Sequence, residues 1–170
     1  MSYAIVYSSQ TGNTAQLATH IKHILPAKEL IYFGSVSPEA LHADILFVGS
    51  WTDKGTCSPE IAQFLHQLKN KQVYLFGTAG FGGSPAYFSQ IAERMAQNLP
   101  TGNVLLGSYL CQGKMPQAVR ARYEALAKTS SQKAQPLLDN FDQALSHPDQ
   151  EDLEKLEKAI SDLLKNNSLA

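Results

Sequence analysis

The sequence predicts an α/β fold in which a doubly wound sheet of five parallel strands is covered by helices on both faces. Short apolar runs alternate with segments of helical periodicity from the first residues to about residue 130. The run Ile45–Val48 is apolar at every position, which is typical of a strand buried on both faces of a parallel sheet. The connections are short, so helices are expected to link each strand to the next parallel strand along the chain.

Five runs are predicted as strands because they are short, apolar and bounded by turn residues. The predicted order across the sheet is 2-1-3-4-5, so the order reverses between strands one and three, where an open parallel sheet binds its ligand. In chain order the predicted strands are Tyr3–Tyr7, Lys28–Phe33, Ile45–Val48, Val73–Phe76 and Asn103–Leu110.

Helix starts are marked by capping residues and prolines. Ser58-Pro59-Glu60 combines a capping serine, a proline at the first helical position and an acid in the first turn, and Ser84-Pro85 repeats the signal. The first helix is expected to begin near Ala15, a short helical turn at Ser37-Pro38, and another helix at Pro116. The predicted buried stripes are Ala15/Ala18/Ile21/Leu25, Ile61/Phe64/Leu65/Leu68, Phe88/Ile91/Met95/Leu99 and Val119/Tyr123/Leu126.

The character of the chain changes after residue 130. Residues 130–136 resemble a linker, Pro136–Leu145 can form a helix, and Pro148-Asp149 starts another. The last helix is amphipathic, so its apolar stripe needs a surface to cover, either its own domain or a partner chain. We therefore expect one domain over residues 1–130 and a helical extension over 131–170 that packs on it. The stripe consists of Leu153, Leu156, Ile160, Leu163 and Leu164.

Composition indicates a cytoplasmic globular protein. The chain has 170 residues, 44% of them hydrophobic, with a net charge of −1, which favours neither a membrane nor a nucleic acid as partner. The apolar start is too short for a signal peptide. Cys57 and Cys111 lie far apart without a CxxC motif, so they predict neither a disulfide nor a zinc site. The pair His20 and His23 is expected on an exposed helix surface, and no metal ligand is predicted.

The turn after the first strand is the strongest functional signal. It is rich in hydroxyl groups and directly precedes a helix, so its N–H groups and the helix dipole favour an anion there. The loop has neither the lysine of GxxxxGK[ST] nor a GxGxxG, which favours a single terminal phosphate. The alternative is an ordinary N-capping turn. The candidate phosphate-binding residues are Ser9, Gln10, Thr11, Gly12, Asn13 and Thr14.

Two further loops are expected at the same edge of the sheet. Each carries an aromatic residue among small residues, which suits stacking on a flat ligand, and glycines allow the backbone to approach a ring edge. Trp51 could instead anchor its loop, and Tyr87 is an alternative to Phe81 as the second stacking ring. The candidates are Ser50, Trp51, Thr52, Asp53, Lys54 and Gly55 after strand three, and Thr78, Ala79, Gly80, Phe81, Gly82 and Gly83 after strand four.

The segment Ser9–Thr14 resembles the phosphate loop of flavodoxins, [TS]-x-T-G-x-T, at the same distance from the N-terminus. The resemblance covers about residues 1–128 and implies that the chain binds FMN, with the Trp51 and Phe81 loops enclosing the isoalloxazine. The fifth strand has no inserted segment, so the short-chain flavodoxins are more similar. Flavodoxins that replace ferredoxin are strongly acidic, whereas this chain is nearly neutral.

The resemblance implies an FMN-binding electron carrier that passes electrons from a reductase to a partner oxidoreductase, rather than a stand-alone enzyme. No residue of the protein is assigned a catalytic role, because the flavin carries the chemistry. One alternative is an FMN-dependent reductase that uses NAD(P)H to reduce a quinone or a tetrapyrrole. Another is a redox-silent module that binds phosphate esters.

Charge is unevenly distributed along the chain. Residues 1–130 hold ten Lys and Arg against seven acids, a net charge of +3, whereas residues 131–170 hold four lysines against eight acids, a net charge of −4. No acidic docking face is evident in the first segment. The sequence therefore predicts docking through apolar contacts or a mildly acidic partner surface, with rates that depend weakly on salt.

Overall fold

A computed structural model describes residues 1–167 of the chain. Its sheet has five parallel strands in the order β2-β1-β3-β5-β6, and the short strand β4 pairs antiparallel with the end of β3. Counting only the parallel strands, this is the predicted order 2-1-3-4-5, so the predicted fold class is confirmed. The strands are β1 (Tyr3–Ser8), β2 (Leu30–Gly34), β3 (Ile45–Asp53), β4 (Thr56–Cys57), β5 (Gln72–Ala79) and β6 (Val104–Gln112).

Helices cover both faces of the sheet, and the continuous apolar run of β3 explains why. Ile45 and Phe47 belong to one buried cluster, Leu46 and Val48 to another on the opposite face. The first cluster includes residues of α1 and α6, and the second includes residues of α2 and α3. The helices are α1 (Asn13–Ile24), α2 (Pro59–His66), α3 (Pro85–Ala96), α4 (Gln117–Ala127), α5 (Ser131–Ala144) and α6 (Gln150–Asn167), with a 3-10 turn at Pro38–His42.

Side-chain caps start α2 and α3 as predicted. The Ser58 hydroxyl accepts a hydrogen bond from the Ile61 N–H at 3.4 Å, and the Ser84 hydroxyl accepts one from the Tyr87 N–H at 3.2 Å. In each helix the proline takes a position where no intrahelical donor is needed. These caps fix the points at which the chain turns back from the site into the helices.

The segment after the third strand is a hairpin, not the loop expected from the sequence. β3 continues through Trp51 and Thr52 to Asp53, turns at Lys54-Gly55 and returns as β4. Lys54 and Gly55 have φ of 48° and 83°. Positive φ at both central residues of a two-residue turn is the type I′ geometry, which matches the twist of the strands.

The expected linker over residues 130–136 is wrong, because helix α5 already begins at Ser131 and includes Pro136. Ala134 and Phe141 are fully buried, so packing of this helix overrides the polar composition of its first turn. Helix α4, in contrast, is less buried than the sequence predicts. It has no buried residue, and the stripe containing Val119 and Tyr123 is only half-buried.

The last helix lies on the same sheet face as α1. Leu156 and Ile160 are fully buried in the cluster that contains the α1 side chains. Polar contacts also join α6 to α1 and β6: His20 Nε2 lies 3.3 Å from Glu157 Oε2, and the Tyr109 hydroxyl donates to the Asp152 carbonyl at 2.7 Å. Between residues 1 and 167, no helix combines the length and apolarity needed to cross a bilayer.

Candidate functional site

A cavity of about 580 Å³ opens at the carboxyl ends of β1, β3, β5 and β6. The position is the one expected for a ligand in an open parallel sheet, and the volume lies in the range of small-molecule and cofactor sites. Eleven of the predicted site residues line it: Gln10, Thr11, Asn13, Trp51, Thr52, Lys54, Gly55, Thr78, Ala79, Gly80 and Phe81.

The turn between β1 and α1 forms one wall of the cavity. Gly12 has a φ of 86°, a left-handed conformation in which a residue with a Cβ is strained, and α1 starts without a side-chain cap at this position. The Ser9 hydroxyl instead accepts a hydrogen bond from the Ala15 N–H at 3.3 Å. Ser9 and Gly12 line a shallower surface depression beside the cavity, not the cavity itself. The N-terminus of α1 therefore has donors that are not occupied by a cap.

Asn13 is the most informative residue of this turn because it is buried and half-satisfied. Its Nδ2 donates to the Lys114 carbonyl at 2.8 Å, which fixes the orientation of the amide. Its Oδ1 is buried and has no hydrogen-bond partner in residues 1–167. A Cβ on Gly113 would lie 2.5 Å from Nδ2, so a glycine is needed there. A buried acceptor without a partner beside a cavity suits a ligand that offers an O–H or N–H donor.

Thr14 and Ser50 support the site from behind and do not line the cavity. The Thr14 and Thr78 hydroxyls share a buried hydrogen bond of 3.2 Å. The Ser50 hydroxyl donates to the Trp51 carbonyl at 2.7 Å and accepts from the Ser58 N–H at 2.8 Å. These bonds tie the start of α1 to β5, and the end of β3 to the start of α2, at the edge where the cavity opens.

The β3–β4 hairpin is a firmly held second wall. The Thr52 hydroxyl donates to the Thr78 carbonyl at 2.9 Å, and Arg94 Nη1 from α3 donates to the Gly55 carbonyl at 3.3 Å. Asp53 lies in the hairpin but does not line the cavity. The two predicted loop residues Lys54 and Gly55 therefore reach the cavity from a strand-supported turn.

Four aromatic side chains line the cavity: Trp51, Phe81, Tyr87 and Tyr123. The indole N–H of Trp51 donates to the Ser8 hydroxyl at 3.2 Å, which fixes the ring beside the end of β1. Phe81 is 41% exposed and stands at the mouth. Tyr87 is half-buried, and burial raises the pKa of its phenol. The cavity thus offers several flat apolar faces to a planar ligand.

The loop after β5 divides the cavity from a second one. The Gln112 amide donates to the Gly80 carbonyl at 3.1 Å, and its side chain packs where a Cβ on Gly82 would lie. Gly83 lines a separate cavity of about 550 Å³ beside β6, α3 and the start of α6. Gly82 and Gly83 therefore shape the loop but do not line the first cavity.

Sequence reasoning missed the wall contributed by the segment after β6. These residues follow the carboxyl end of a strand, which is the signal that could have identified them. Lys114 accepts hydrogen bonds through its carbonyl from Asn13 Nδ2 at 2.8 Å and from the Thr11 hydroxyl at 3.4 Å, and its N–H donates to the His147 carbonyl at 3.0 Å. The missed lining residues are Gly113, Lys114, Met115, Pro116, Ala118, Val119, Arg122 and Tyr123.

The charged side chains that line the cavity are all cations: Lys54, Lys114 and Arg122. Neither thiol takes part, because Cys57 and Cys111 are buried away from the lining and burial raises the pKa of both. The cavity therefore presents hydroxyls, amides, aromatic faces and positive charge, without a titratable acid or thiol among its described lining residues.

Among the described residues, His147, Asp149 and Asp152 have the composition of a metal site. The hydrogen bonds that these side chains form with the start of α6 explain their arrangement without a metal ion. The Asp149 side chain accepts from the Asp152 N–H at 3.0 Å, and Asp152 accepts from the Asp149 N–H at 2.9 Å, which is a reciprocal capping arrangement at the start of α6. Asp152 Oδ2 also lies 2.6 Å from His147 Nδ1.

The fold and the cavity define a class of protein: an open parallel sheet with a cavity at its carboxyl edge, lined by the first turn and by aromatic residues of the segments that follow β3 and β5. The chain belongs to the flavodoxin family, because the family model described as Flavodoxin domain matches residues 4–161. Members of this family are FMN-binding electron carriers. The resemblance seen in Ser9–Thr14 is thereby confirmed, and the family region extends well beyond residue 130.

Two relatives are named Flavodoxin-like domain-containing protein BilS. The one from Clostridium symbiosum is 40% identical and the one from Clostridioides difficile is 34% identical, and each alignment covers 90% of this chain and 90% of the relative. Among solved structures, oxidised flavodoxin 2 from Bacillus cereus superposes with a TM-score of 0.56 at 21% identity, covering 98% of this chain and 99% of that one. The structural likeness shows the shared fold.

Proposed function

We propose that this chain holds one FMN in the cavity at the carboxyl edge of the sheet and passes electrons from a reductase to a partner oxidoreductase. The observation that carries the proposal is the buried, unpartnered Oδ1 of Asn13 beside a cavity lined by four aromatic rings. The hydroxyl groups of the FMN ribityl chain are donors of the kind that this oxygen lacks.

The residues of the cavity fit the parts of FMN. Gln10, Thr11 and the start of α1 offer neutral donors for the phosphate, which the helix dipole favours. Trp51 and one of Phe81 or Tyr87 would cover the faces of the ring. Residues Ser9, Gly12, Thr14 and Ser50 hold this geometry from outside the cavity.

The lining supports electron transfer rather than acid–base catalysis by the protein. In the described part of the chain, no carboxylate, histidine or thiol lines the cavity. FMN supplies the redox chemistry when bound. The residues of the chain bind the cofactor, orient it and exclude water from its faces, while Phe81 remains 41% exposed at the mouth where a partner can approach.

The test is a titration of the apoprotein with FMN and with riboflavin, followed by stepwise chemical reduction under a visible spectrometer. We expect FMN to bind at least about tenfold more tightly, since riboflavin cannot use the phosphate donors. Equal affinities would contradict the phosphate site. A spectrum that shows reduction in two separate one-electron steps supports a carrier, whereas a single two-electron step supports a reductase.

A second candidate function, an FMN-dependent reductase of small molecules, is favoured by one observation. Helix α4 has no buried residue, yet Ala118, Val119 and Tyr123 line the cavity and extend its wall beyond the three predicted loops. That wall could enclose a substrate next to the cofactor. Oxidation of NAD(P)H by the purified holoprotein alone, with a quinone as acceptor, would select this function over the carrier.

A further inference from the structure

The mouth of the FMN cavity carries positive charge that the protein itself leaves uncompensated. Lys54, Lys114 and Arg122 line the cavity and are exposed. None of the three forms a salt bridge with any residue in the range 1–167. No acidic residue is among the described lining residues. The net charge of the whole chain is −1, whereas the charged side chains that line this cavity are all positive.

The contrast with a neighbouring arginine on the same helix shows that this is a local property. Arg120 lies two residues before Arg122 in α4, pairs with Glu124 and with Asp142 of α5, and stands 5.4 Å from the centre of the Phe141 ring. Arg120 therefore joins the two helices to each other. Arg122 lines the cavity and forms no salt bridge within the part of the chain that the structure describes.

The three cations line the same cavity as an exposed aromatic side chain. They come from three separate elements, the β3–β4 turn, the loop after β6 and the middle of α4. Phe81 is 41% exposed. An exposed aromatic residue together with basic residues that form no salt bridge between residues 1 and 167 has the composition of a protein-docking surface, in which aromatic residues and arginine are enriched.

We propose that this mouth, defined by Lys54, Phe81, Lys114 and Arg122, docks an acidic surface of the redox partner protein. The inference deepens the proposed function, on which it rests, by assigning a charge to the partner. Electrostatic attraction between exposed charges accelerates association and weakens as salt rises. Under this proposal the rate of electron transfer depends strongly on salt, in contrast to the weak dependence expected from the sequence, because three cations line the cavity at which the partner would dock.

The docking surface is tested without FMN by titrating the isotope-labelled apoprotein with poly-L-glutamate and recording amide NMR shifts. We expect the largest shifts at Lys54, Lys114 and Arg122, and at least about a threefold loss of affinity in Arg122→Glu. Lys69→Glu is the matched control, since Lys69 is exposed in the connection before β5, at the opposite edge of the sheet. Equal losses in the two variants would overturn the proposal, as would shifts confined to α6.

Competition separates a protein surface from a small-anion site. Monomeric glutamate at the same carboxylate concentration should leave the poly-L-glutamate complex intact, because single carboxylates cannot bridge cations from three elements. Displacement by the monomer would overturn the assignment to a partner surface and would show that the three cations bind a small acidic ligand.

A kinetic experiment on the FMN-loaded protein gives the second readout. After chemical reduction, its oxidation by ferricyanide should slow about tenfold or more between low and high salt, and its oxidation by hexaamminecobalt(III) should accelerate. The same salt response to both oxidants would contradict a positive mouth. Failure to load FMN would refute the proposed function, while the apoprotein titration would still decide the charge of the docking surface.

Discussion

Replacing Asn13 with leucine should separate the stability of the protein from its affinity for FMN. Leucine branches at Cγ as asparagine does, so it keeps the shape needed beside Gly113 while removing both polar atoms. The change loses one hydrogen bond to the Lys114 carbonyl, about 1 kcal/mol, and also removes a buried acceptor whose desolvation costs about 1–3 kcal/mol. We therefore expect the apoprotein to be as stable as the wild type, within about 1 kcal/mol, or slightly more stable.

Binding of FMN should change in the other direction. If the cofactor donates a hydrogen bond to Oδ1, the variant loses about 1–2 kcal/mol of binding free energy, which corresponds to a 5- to 30-fold weaker affinity. Urea denaturation of the apoprotein measures the first quantity, and fluorescence titration with FMN measures the second. Gln16→Leu, an exposed change on the same helix, should alter neither.

Two outcomes would refute the reasoning about Asn13. An affinity for FMN equal to that of the wild type would show that Oδ1 does not meet the cofactor. A loss of apoprotein stability well above about 1 kcal/mol would show that the acceptor is already satisfied in the free protein.

Three further predictions test other parts of the site, and a fourth tests a buried tyrosine of the core. Thr11→Ala should weaken FMN binding by about 1–2 kcal/mol with little effect on stability, whereas Thr14→Ala should lower stability first, because its hydroxyl is buried against β5; urea melts and FMN titrations separate the two. The fluorescence of Trp51, the only tryptophan, should be quenched as FMN binds, and Trp51→Ala should weaken binding in a folded protein; unchanged fluorescence would remove the indole from the site. Gly55→Val should destabilise the hairpin by about 1–2 kcal/mol, since φ is 83° there, and shift the FMN midpoint potentials measured by redox titration. Burial raises the pKa of Tyr74 to about 12, so its protonated form is favoured by folding, and urea melts should show stability falling as the pH rises from 10 towards 12; a flat profile would contradict this.

The sheet could be predicted because its signals are local. Every residue of Ile45–Val48 is apolar, and this pattern alone requires layers on both faces. The proline after Ser58 and that after Ser84 marked helix starts that the structure confirms to the residue. Such features depend on neighbours in the chain, so the sequence displays them directly.

The parts that could not be predicted depend on contacts between distant residues. The Asn13 amide donates a hydrogen bond to the carbonyl of Lys114, 101 positions away, and no local sequence pattern predicts that contact. The Lys54-Gly55 turn lacks the Asn-Gly or Asp-Gly pair that usually marks a type I′ hairpin. The sequence predicts a helix over Pro136–Leu145, but its true start at Ser131 is hidden by a polar first turn and by Pro136, and the burial of Ala134 explains why the helix extends that far.

The bond from the Lys114 N–H to the His147 carbonyl also has a consequence for the order of events during synthesis. A chain that leaves the ribosome from its N-terminus presents the turn between β1 and α1 early, but the Lys114 segment that contacts Asn13 is hydrogen-bonded to a residue near the start of α6. A nascent chain truncated before His147 should therefore take up FMN poorly even with its whole sheet made. We therefore expect cofactor loading to be one of the last steps in the maturation of this protein, with shorter nascent chains remaining colourless.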